Sequence, residues 1–428
     1  MRLGRGIKAI AINGSGLAGV SVVETVVRAI YFIAITRLIG PEGYGLWTWA
    51  IVLYGLVLSG VSLGFETQVP YAYGKGEQAG DRQAGTALVL RILITLAAMA
   101  GLGAYALLVV DGARETMAAL LITPALLLRG TALMSRSIFT GRMEMPRNVP
   151  NVLAGRLFEL AVGITLIAAG YGIEALVLLH GAAWGVETLL SWRVLRSRSQ
   201  VRLFISDGAE AKSLLRKGVP LGVFDLANTF LAACPLVLYE PLAASLAELG
   251  QVGVAVQLSA FLLTAGLAFL SSAVPVLAQS REAGDPRVPR YGWLVAAIAL
   301  VSTIALALAW QVVSEPIFAL VFGHAYDLAR MLTGWTILTA GAMLLPHGFQ
   351  QLLILEGRFS VPLAASLAGC AAVLLCFAVW WERIGPLMAL QIVLAAWLLR
   401  AAIIIAFGWK LSRQLSRELR PEQKTADS

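Results

Sequence analysis

Apolar windows of about 20 residues recur along almost the whole chain, at roughly 10–36, 44–68, 86–109, 117–139, 149–169 and 174–194, then near 219–239, 252–277, 292–313, 330–354, 360–380 and 386–409. At about 1.5 Å of rise per residue, each is long enough to cross the roughly 30 Å hydrocarbon core of a bilayer. In lipid a backbone must satisfy its own N–H and C=O groups, so such runs fold as α-helices. Only 14% of the residues are charged, against about 25% in a typical soluble domain. The expectation is an all-α polytopic membrane protein with twelve transmembrane helices in two sets of six.

The most polar interior stretch, 193–217, separates the two sets and is too short to hold a soluble domain. The chain divides into an N-terminal lobe (1–200), a cytoplasmic linker (201–217), a C-terminal lobe (218–409) and a polar cytoplasmic tail (410–428). The basic start, Met1 to Lys8, runs into an apolar stretch that continues to about Ile39, too long for a signal peptide. It reads as the first membrane helix. With the N-terminus inside, 23 of the 33 lysines and arginines fall on the cytoplasmic side. Only Arg37, Arg114, Arg330 and Arg383 fall outside, which puts both termini in the cytoplasm by the positive-inside rule. The net charge of +8 reflects this distribution and not a nucleic-acid surface. Cys234, Cys370 and Cys376 lie in apolar spans without a CxxC or Cys/His cluster, so no disulfide framework, metal site or cofactor is expected.

The two halves resemble each other. Gly40-Pro41-Glu42-Gly43-Tyr44-Gly45 precedes an apolar helix ending near Pro70. Glu248 and Val252-Gly253 precede another ending near Pro275. Ala79-Gly80-Asp81 and Ala283-Gly284-Asp285 then follow in matching loops, at an offset of about 205. Six plus six helices of equal orientation form the parallel repeat of a secondary transporter, with a substrate site expected between the halves near the midplane.

The segment Thr36-Arg37-Leu38-Ile39-Gly40-Pro41-Glu42-Gly43-Tyr44-Gly45-Leu46-Trp47 resembles a hallmark of the polysaccharide flippases, the Wzx-like members of the multidrug/oligosaccharidyl-lipid/polysaccharide exporter superfamily. Phe322-Gly323-His324-Ala325-Tyr326 is similar to that family's FG-x-x-Y connection. Arg383-Ile384-Gly385-Pro386-Leu387-Met388-Ala389 resembles its GxxG-like entry to helix 12, with Met388 in place of the second glycine. With the helix count, the resemblance covers essentially the whole chain. It implies a MATE-like, V-shaped fold of two six-helix lobes around a central cleft, in a bacterial or archaeal inner membrane. It also implies a transporter, not an enzyme, that moves an isoprenoid-diphosphate-linked oligosaccharide to the outer leaflet. The expected partners are that lipid-linked oligosaccharide, membrane lipids, H⁺ or Na⁺ as coupling ion, and polysaccharide assembly proteins.

Six arginines, Arg28, Arg91, Arg129, Arg136, Arg156 and Arg400, interrupt these apolar spans. Each costs about 2.5–3.5 kcal/mol at bilayer depth, so each needs a partner or a wet cavity. Arg28 lies one turn from Glu24, which makes the two either a self-cancelling ion pair or an anion contact with a coupling-ion site. Arg129 and Arg136, seven residues apart on one helix face, suit an elongated phosphate, because guanidinium offers a planar fork to phosphate oxygens. Glu159 or Glu187 could instead occupy them structurally. Arg91 and Arg156 are expected to snorkel to headgroups, and Arg400, beside Trp397, to pair with a lipid phosphate or a distant acid. Asp225 is a candidate cation or proton site and Asn228 a candidate substrate contact on the same face. His347, in a polar break after Pro346 with Gln350 and Gln351, reads as structural.

Three other functions fit less well. A cation-coupled multidrug exporter of the same superfamily would favour acids in its cleft, and here arginines outnumber them. A major-facilitator signature is incomplete after Asp81-Arg82. A glycan polymerase or ligase would carry a large outer loop. The sequence has no G-x-x-x-x-G-K-[ST] loop for direct ATP use.

Overall fold

A computed structural model describes the backbone at residues 2–197, 201, 207–271 and 273–418, with side chains from Glu24 onward in those ranges, Pro275 excepted. Expectations about residues 202–206 of the linker, 419–428 of the tail and the side chains of Arg2, Arg5 and Lys8 lie outside the described residues.

Helix α1 (Arg2–Ser62) contains the first two apolar windows and is broken by Gly40, whose φ of 69° suits a residue without Cβ. The rings of Phe32 and Tyr44 sit 5.6 Å apart, and those of Tyr31 and Trp47 sit 6.2 Å apart. Along one straight helix these pairs would be separated by about 18 and 24 Å. The chain therefore folds back at Gly40-Pro41 into a helical hairpin with legs 2–39 and 41–62.

The second leg ends at Leu63 and Gly64, both with positive φ, and the short α2 (Phe65–Tyr73) follows. Then come α3 (Glu77–Leu108), α4 (Ala113–Ile122), α5 (Pro124–Gly141), α6 (Val149–Ala168) and α7 (Ile173–Arg196). Helices α4 and α5 together make one span, interrupted where Pro124 supplies no N–H to the preceding turn. The second half comprises α8 (Gly208–Val237), α9 (Leu246–Ser271), α10 (Val274–Glu282), α11 (Tyr291–Val321), α12 (Asp327–Leu344), α13 (His347–Leu355), α14 (Ser360–Trp380) and α15 (Pro386–Glu418). Pro346 separates α12 from α13, at the break expected from the sequence.

Among the described residues, eleven segments are long and apolar enough to cross a bilayer, and the first of them is the hairpin, which brings the crossings to twelve. All regular structure among the described residues is helical. The repeat is visible in the elements: α2 and α10 are nine-residue helices that follow the second and eighth spans.

The chain forms two compact units, Met1–Thr229 with Ser245–Gly250, and Phe230–Ala244 with Gln251–Ser428. Residues 218–229, which the sequence puts at the start of the second lobe, pack in the first unit. The lower part of α8 is tied there by Gln68, which donates to the Leu214 carbonyl (3.3 Å), and by the Arg82–Glu210 pair (3.6 Å). The start of α9 also belongs to the first unit through close backbone contact. A Cβ added at Gly45 would lie 1.9 Å from the Leu246 carbonyl oxygen, and one at Gly250 would lie 2.0 Å from that of Pro41. Lipid tails are as apolar as leucine, so helices in a bilayer associate through such close packing and through hydrogen bonds.

In the first unit, α7 packs against α1, α4, α5 and α6. Phe65, Val69, Met134 and Phe139 form a separate buried core where α2, α3 and α5 meet. In the second unit, α15 packs on α12, α13 and α14 around Phe349, Leu353, Ile404 and Leu411.

Asp81, expected from the sequence in a loop, lies instead in the second turn of α3 and is a structural hub. It accepts a hydrogen bond from the Tyr73 phenol (2.5 Å) and another from Arg142 (3.2 Å). Burial and the adjacent carboxylate push the Tyr73 phenol well above its ordinary pKa, so it stays a donor. Burial opposes the Arg142 charge, but Asp81 and Glu77 outweigh it and hold the guanidinium above its ordinary value.

Candidate functional site

The first unit gathers most of its intramembrane charge into one network. Helix α7 presents His180, Trp184 and Glu187 at positions i, i+4 and i+7, hence on one face. Helix α6 presents Arg156 and Glu159 one turn apart, and α5 presents Arg129 and Arg136 two turns apart. The α1 hairpin adds Glu24, Arg28 and Tyr31 from its first leg and Tyr54 from its second. Each element is individually apolar enough to insert, and the polar residues meet only when the helices pack.

Arg136 is the most heavily engaged guanidinium. It donates to both oxygens of Glu24 (2.7 and 3.0 Å) and to both of Glu187 (2.6 and 2.9 Å). Arg156 donates to Glu159 (2.6 Å) and lies 3.7 Å from Glu187 and 4.0 Å from Glu24. The second oxygen of Glu159 meets His180 Nδ1 at 2.6 Å. On the other side of the imidazole, Nε2 meets the Tyr54 hydroxyl (2.9 Å) and accepts from the Trp184 indole N–H (3.2 Å). Arg129 closes the chain by donating to the Tyr54 hydroxyl (2.5 Å). The Trp184 ring underlies three guanidiniums, with Arg156 at 3.9 Å, Arg129 at 4.9 Å and Arg136 at 5.4 Å from its centroid. Cations over an indole face are attracted by its quadrupole, and more strongly when desolvated.

Four guanidiniums (Arg28, Arg129, Arg136, Arg156) stand against three carboxylates (Glu24, Glu159, Glu187), which leaves one excess positive charge if His180 is neutral. The excess is localised. All three carboxylates are engaged by Arg136, Arg156 and His180. Arg129 meets a hydroxyl and two aromatic rings but no carboxylate, and its buried Nε has no hydrogen-bond partner. Arg28 is exposed and makes no hydrogen bond or ion pair among the described residues. It remains within Coulombic range of Glu24, Glu159, Arg129 and Arg156.

The sequence-derived candidates thus separate. Glu24 does not pair with Arg28 along its own helix, because Arg136 takes both of its oxygens. Arg136 is held by Glu24 and by Glu187, one of the two structural partners named for it. Arg28 and Arg129 lie in the same cluster, and neither is paired with a carboxylate among the described residues. Asp225 is exposed, and no ion pair joins it to the arginines among the described residues. Asn228 is half-buried and donates to the Phe224 carbonyl of its own helix (2.7 Å).

Two expectations are overturned. Arg91 and Arg156 do not snorkel, being 1% and 3% exposed. Arg91 pairs with Glu66, and Arg156 with Glu159. Arg400 in the second unit is buried among neutral groups, donating to Ser366 (2.9 Å) and Gln350 (2.7 Å) beside the Trp397 ring. The sequence reading missed His180, Trp184 and Tyr54. The spacing of His180, Trp184 and Glu187 on an otherwise apolar helix was the available signal, since intramembrane ionisable residues on one face turn toward protein or water.

The fold defines the class of protein, a multi-pass membrane protein with the architecture of the MATE transporters. It aligns with an inward-facing multidrug resistance MATE family transporter of the MOP superfamily (TM-score 0.71, 13% identity, covering 92% of this chain and 95% of the other). It also aligns with the eukaryotic MATE transporter AtDTX14 (0.63, 14%, 97% and 99%). A third match is a MOP superfamily transporter from Pyrococcus furiosus Vc1, described as having a binding pocket of reversed polarity (0.63, 15%, 96% and 98%). The family follows from sequence: residues 34–330 match the family described as polysaccharide biosynthesis protein, and the chain belongs to it. No curated protein matches the chain.

Proposed function

We propose that the protein is a flippase that moves an isoprenoid-diphosphate-linked oligosaccharide from the cytoplasmic to the outer leaflet, for assembly of a cell-surface polysaccharide. The observation that carries this reading is the unspent positive charge at Arg28 and Arg129, beside three carboxylates already committed elsewhere. A cation without a counter-ion at membrane depth is a standing cost, and a diphosphate relieves it with charge-assisted, bidentate hydrogen bonds. Membership of a polysaccharide biosynthesis family supports a glycan-bearing cargo. The reversed pocket polarity described for the Pyrococcus furiosus transporter is compatible with the same reasoning. A positively charged drug would meet repulsion at this cluster, which disfavours the multidrug reading.

In this reading Arg28 and Arg129 hold the diphosphate, Arg136 keeps the cluster assembled, and Asn228 is a further polar contact for the headgroup. Alternating access would carry the headgroup across, driven by a proton or sodium gradient. Glu24 serves as a coupling site only when Arg136 lets it go, whereas Asp225 is exposed and makes no ion pair among the described residues. Both termini face the cytoplasm, as the lysine and arginine distribution requires.

The test is leaflet localisation in cells that lack this protein and carry no redundant flippase. The lipid-linked oligosaccharide should accumulate on the cytoplasmic leaflet, and normal delivery to the outer leaflet would sink the proposal. Restoring the gene with Arg28→Ala or Arg129→Ala should fail to restore delivery although the protein inserts. If both variants transport normally, the cationic headgroup site is wrong.

A further inference from the structure

His180 is the only group in the arginine cluster whose unperturbed titration falls near neutral pH, and its surroundings dictate which nitrogen carries the proton. An indole N–H can only donate. Trp184 Nε1 points at His180 Nε2 (3.2 Å), so Nε2 must be an acceptor. On the opposite edge, Nδ1 faces Glu159 (2.6 Å), whose other oxygen accepts from Arg156 (2.6 Å). That carboxylate is ionised, so Nδ1 must donate to it. The two constraints agree on a neutral imidazole protonated at Nδ1. The Tyr54 hydroxyl then shares that single Nε2 lone pair with the indole as a second donor, and accepts from Arg129.

We propose that His180 is a protonation-controlled positioning residue of the headgroup site, which holds the Trp184 ring under the guanidiniums when neutral and releases it when charged. A proton taken from water binds the Nε2 lone pair and gives an imidazolium, while the Nδ1–H bond to Glu159 is kept. Two N–H groups, Nε2–H and the Trp184 indole, then face each other with no acceptor between them. The indole has to turn away. Tyr54 reverses, accepting from Nε2–H instead of donating to it. Turning the indole uncovers the faces of Arg129, Arg136 and Arg156, and the cluster's excess charge rises from one to two. Both changes favour a bound anion. By thermodynamic reciprocity, a bound anion also favours protonation of His180.

The charged and titratable groups that bear on His180 are set by the helices packed against α7. Helix α5 supplies Arg129 and Arg136, α6 supplies Arg156 and Glu159, and the α1 hairpin supplies Glu24, Arg28, Tyr31 and Tyr54. Helix α7 itself supplies Glu187. The buried face of α4 is Ala118, Ala119 and Ile122 and carries no ionisable group. A bound anion neutralises guanidiniums beside the imidazole and so favours its protonated form. The switch rests on reading Arg28 and Arg129 as the headgroup site, but its chemistry can be measured without a substrate.

The chain has three histidines, so labelling the full-length protein in nanodiscs with ¹⁵N-histidine and ¹⁵N-tryptophan resolves His180, assigned by its loss in His180→Gln. At the alkaline end His180 should be the Nδ1–H tautomer. As it titrates, the Trp184 indole N–H signal, assigned by Trp184→Phe, should move with it. An Nε2–H tautomer, or an indole signal indifferent to His180, overturns the proposal. A second measurement follows affinity for polyprenyl diphosphate between about pH 8 and pH 5. Wild type should bind at least roughly fivefold tighter at the acid end, beyond the change seen in His180→Gln, which shares any titration of the diphosphate itself. Equal pH responses in the two proteins overturn the coupling of His180 to the site. If wild type binds no polyprenyl diphosphate at any pH while the tautomer and indole results hold, the switch stands and the headgroup reading falls.

Discussion

At the scale of single residues, the arginines of this protein differ by partner and not by position in the sequence. Arg28 touches no counter-ion among the described residues, so Arg28→Ala should leave thermal stability in detergent unchanged while transport is lost. Arg28→Lys keeps the charge without the fork and should retain only part of the transport. Arg136→Ala should behave in the opposite way. It strands Glu24 and Glu187 at depth, and breaking such a buried pair costs about 3–5 kcal/mol, so folded yield should fall before transport can be assayed. Comparable thermal midpoints for the two alanine variants would show that the ion-pair assignments are wrong. Tyr73 offers a test with a defined sign. Its pKa is raised in the fold by burial and by Asp81, so its contribution is complete below the unfolded value of about 10 and is lost as pH rises beyond it. Thermal midpoints measured across this alkaline range should decline less steeply for Tyr73→Phe than for wild type.

The partners themselves were hidden from sequence reading by distance along the chain. Glu24 and Arg136 are separated by 112 positions, and Tyr54 and His180 by 126. No local spacing rule can pair them. Glu24 and Arg28, one turn apart, satisfied the local rule and are nevertheless not paired, because a bidentate partner on another helix competes better than a neighbour on the same one.

At the scale of elements, the Gly40-Pro41-Glu42-Gly43-Tyr44-Gly45 connection does two physical jobs. Gly40 turns the hairpin with a positive φ, and Gly45 admits the backbone of α9. The two should respond differently to alanine. Gly40→Ala incurs strain of about 1–3 kcal/mol, with open space around the new Cβ. Gly45→Ala drives a Cβ to 1.9 Å from a carbonyl oxygen, which no rotamer relieves. Folded yield by size-exclusion chromatography should therefore drop modestly for the first and severely for the second. Equal yields would contradict the backbone contact. The helix break at Pro346 was legible because proline lacks a donor. The contact of Gly45 with residues 246–250 was not, since a glycine in a turn reads the same whether or not another backbone passes it.

At the scale of the whole molecule, twelve crossings return the C-terminus to the side on which the chain began. A C-terminal fluorescent protein that matures only in the cytoplasm should be bright, and an alkaline phosphatase fused at the same point should be inactive. The reverse pattern would invert the topology and with it the direction of transport. Sequence alone determined the helical class, the number of crossings and the repeat, because lipid forces each apolar run to satisfy its own backbone and leaves few alternatives. It also flagged every intramembrane arginine as anomalous. Tertiary packing alone decided which arginines are spent. Arg91, Arg136 and Arg156 found carboxylates on other elements or, for Arg156, one turn away within a crowded helix interface. Arg400 settled among neutral donors and acceptors, and Arg28 and Arg129 pair with no acid among the described residues. Charge neutralisation inside a membrane is a question of three-dimensional distance, and only the folded chain fixes those distances.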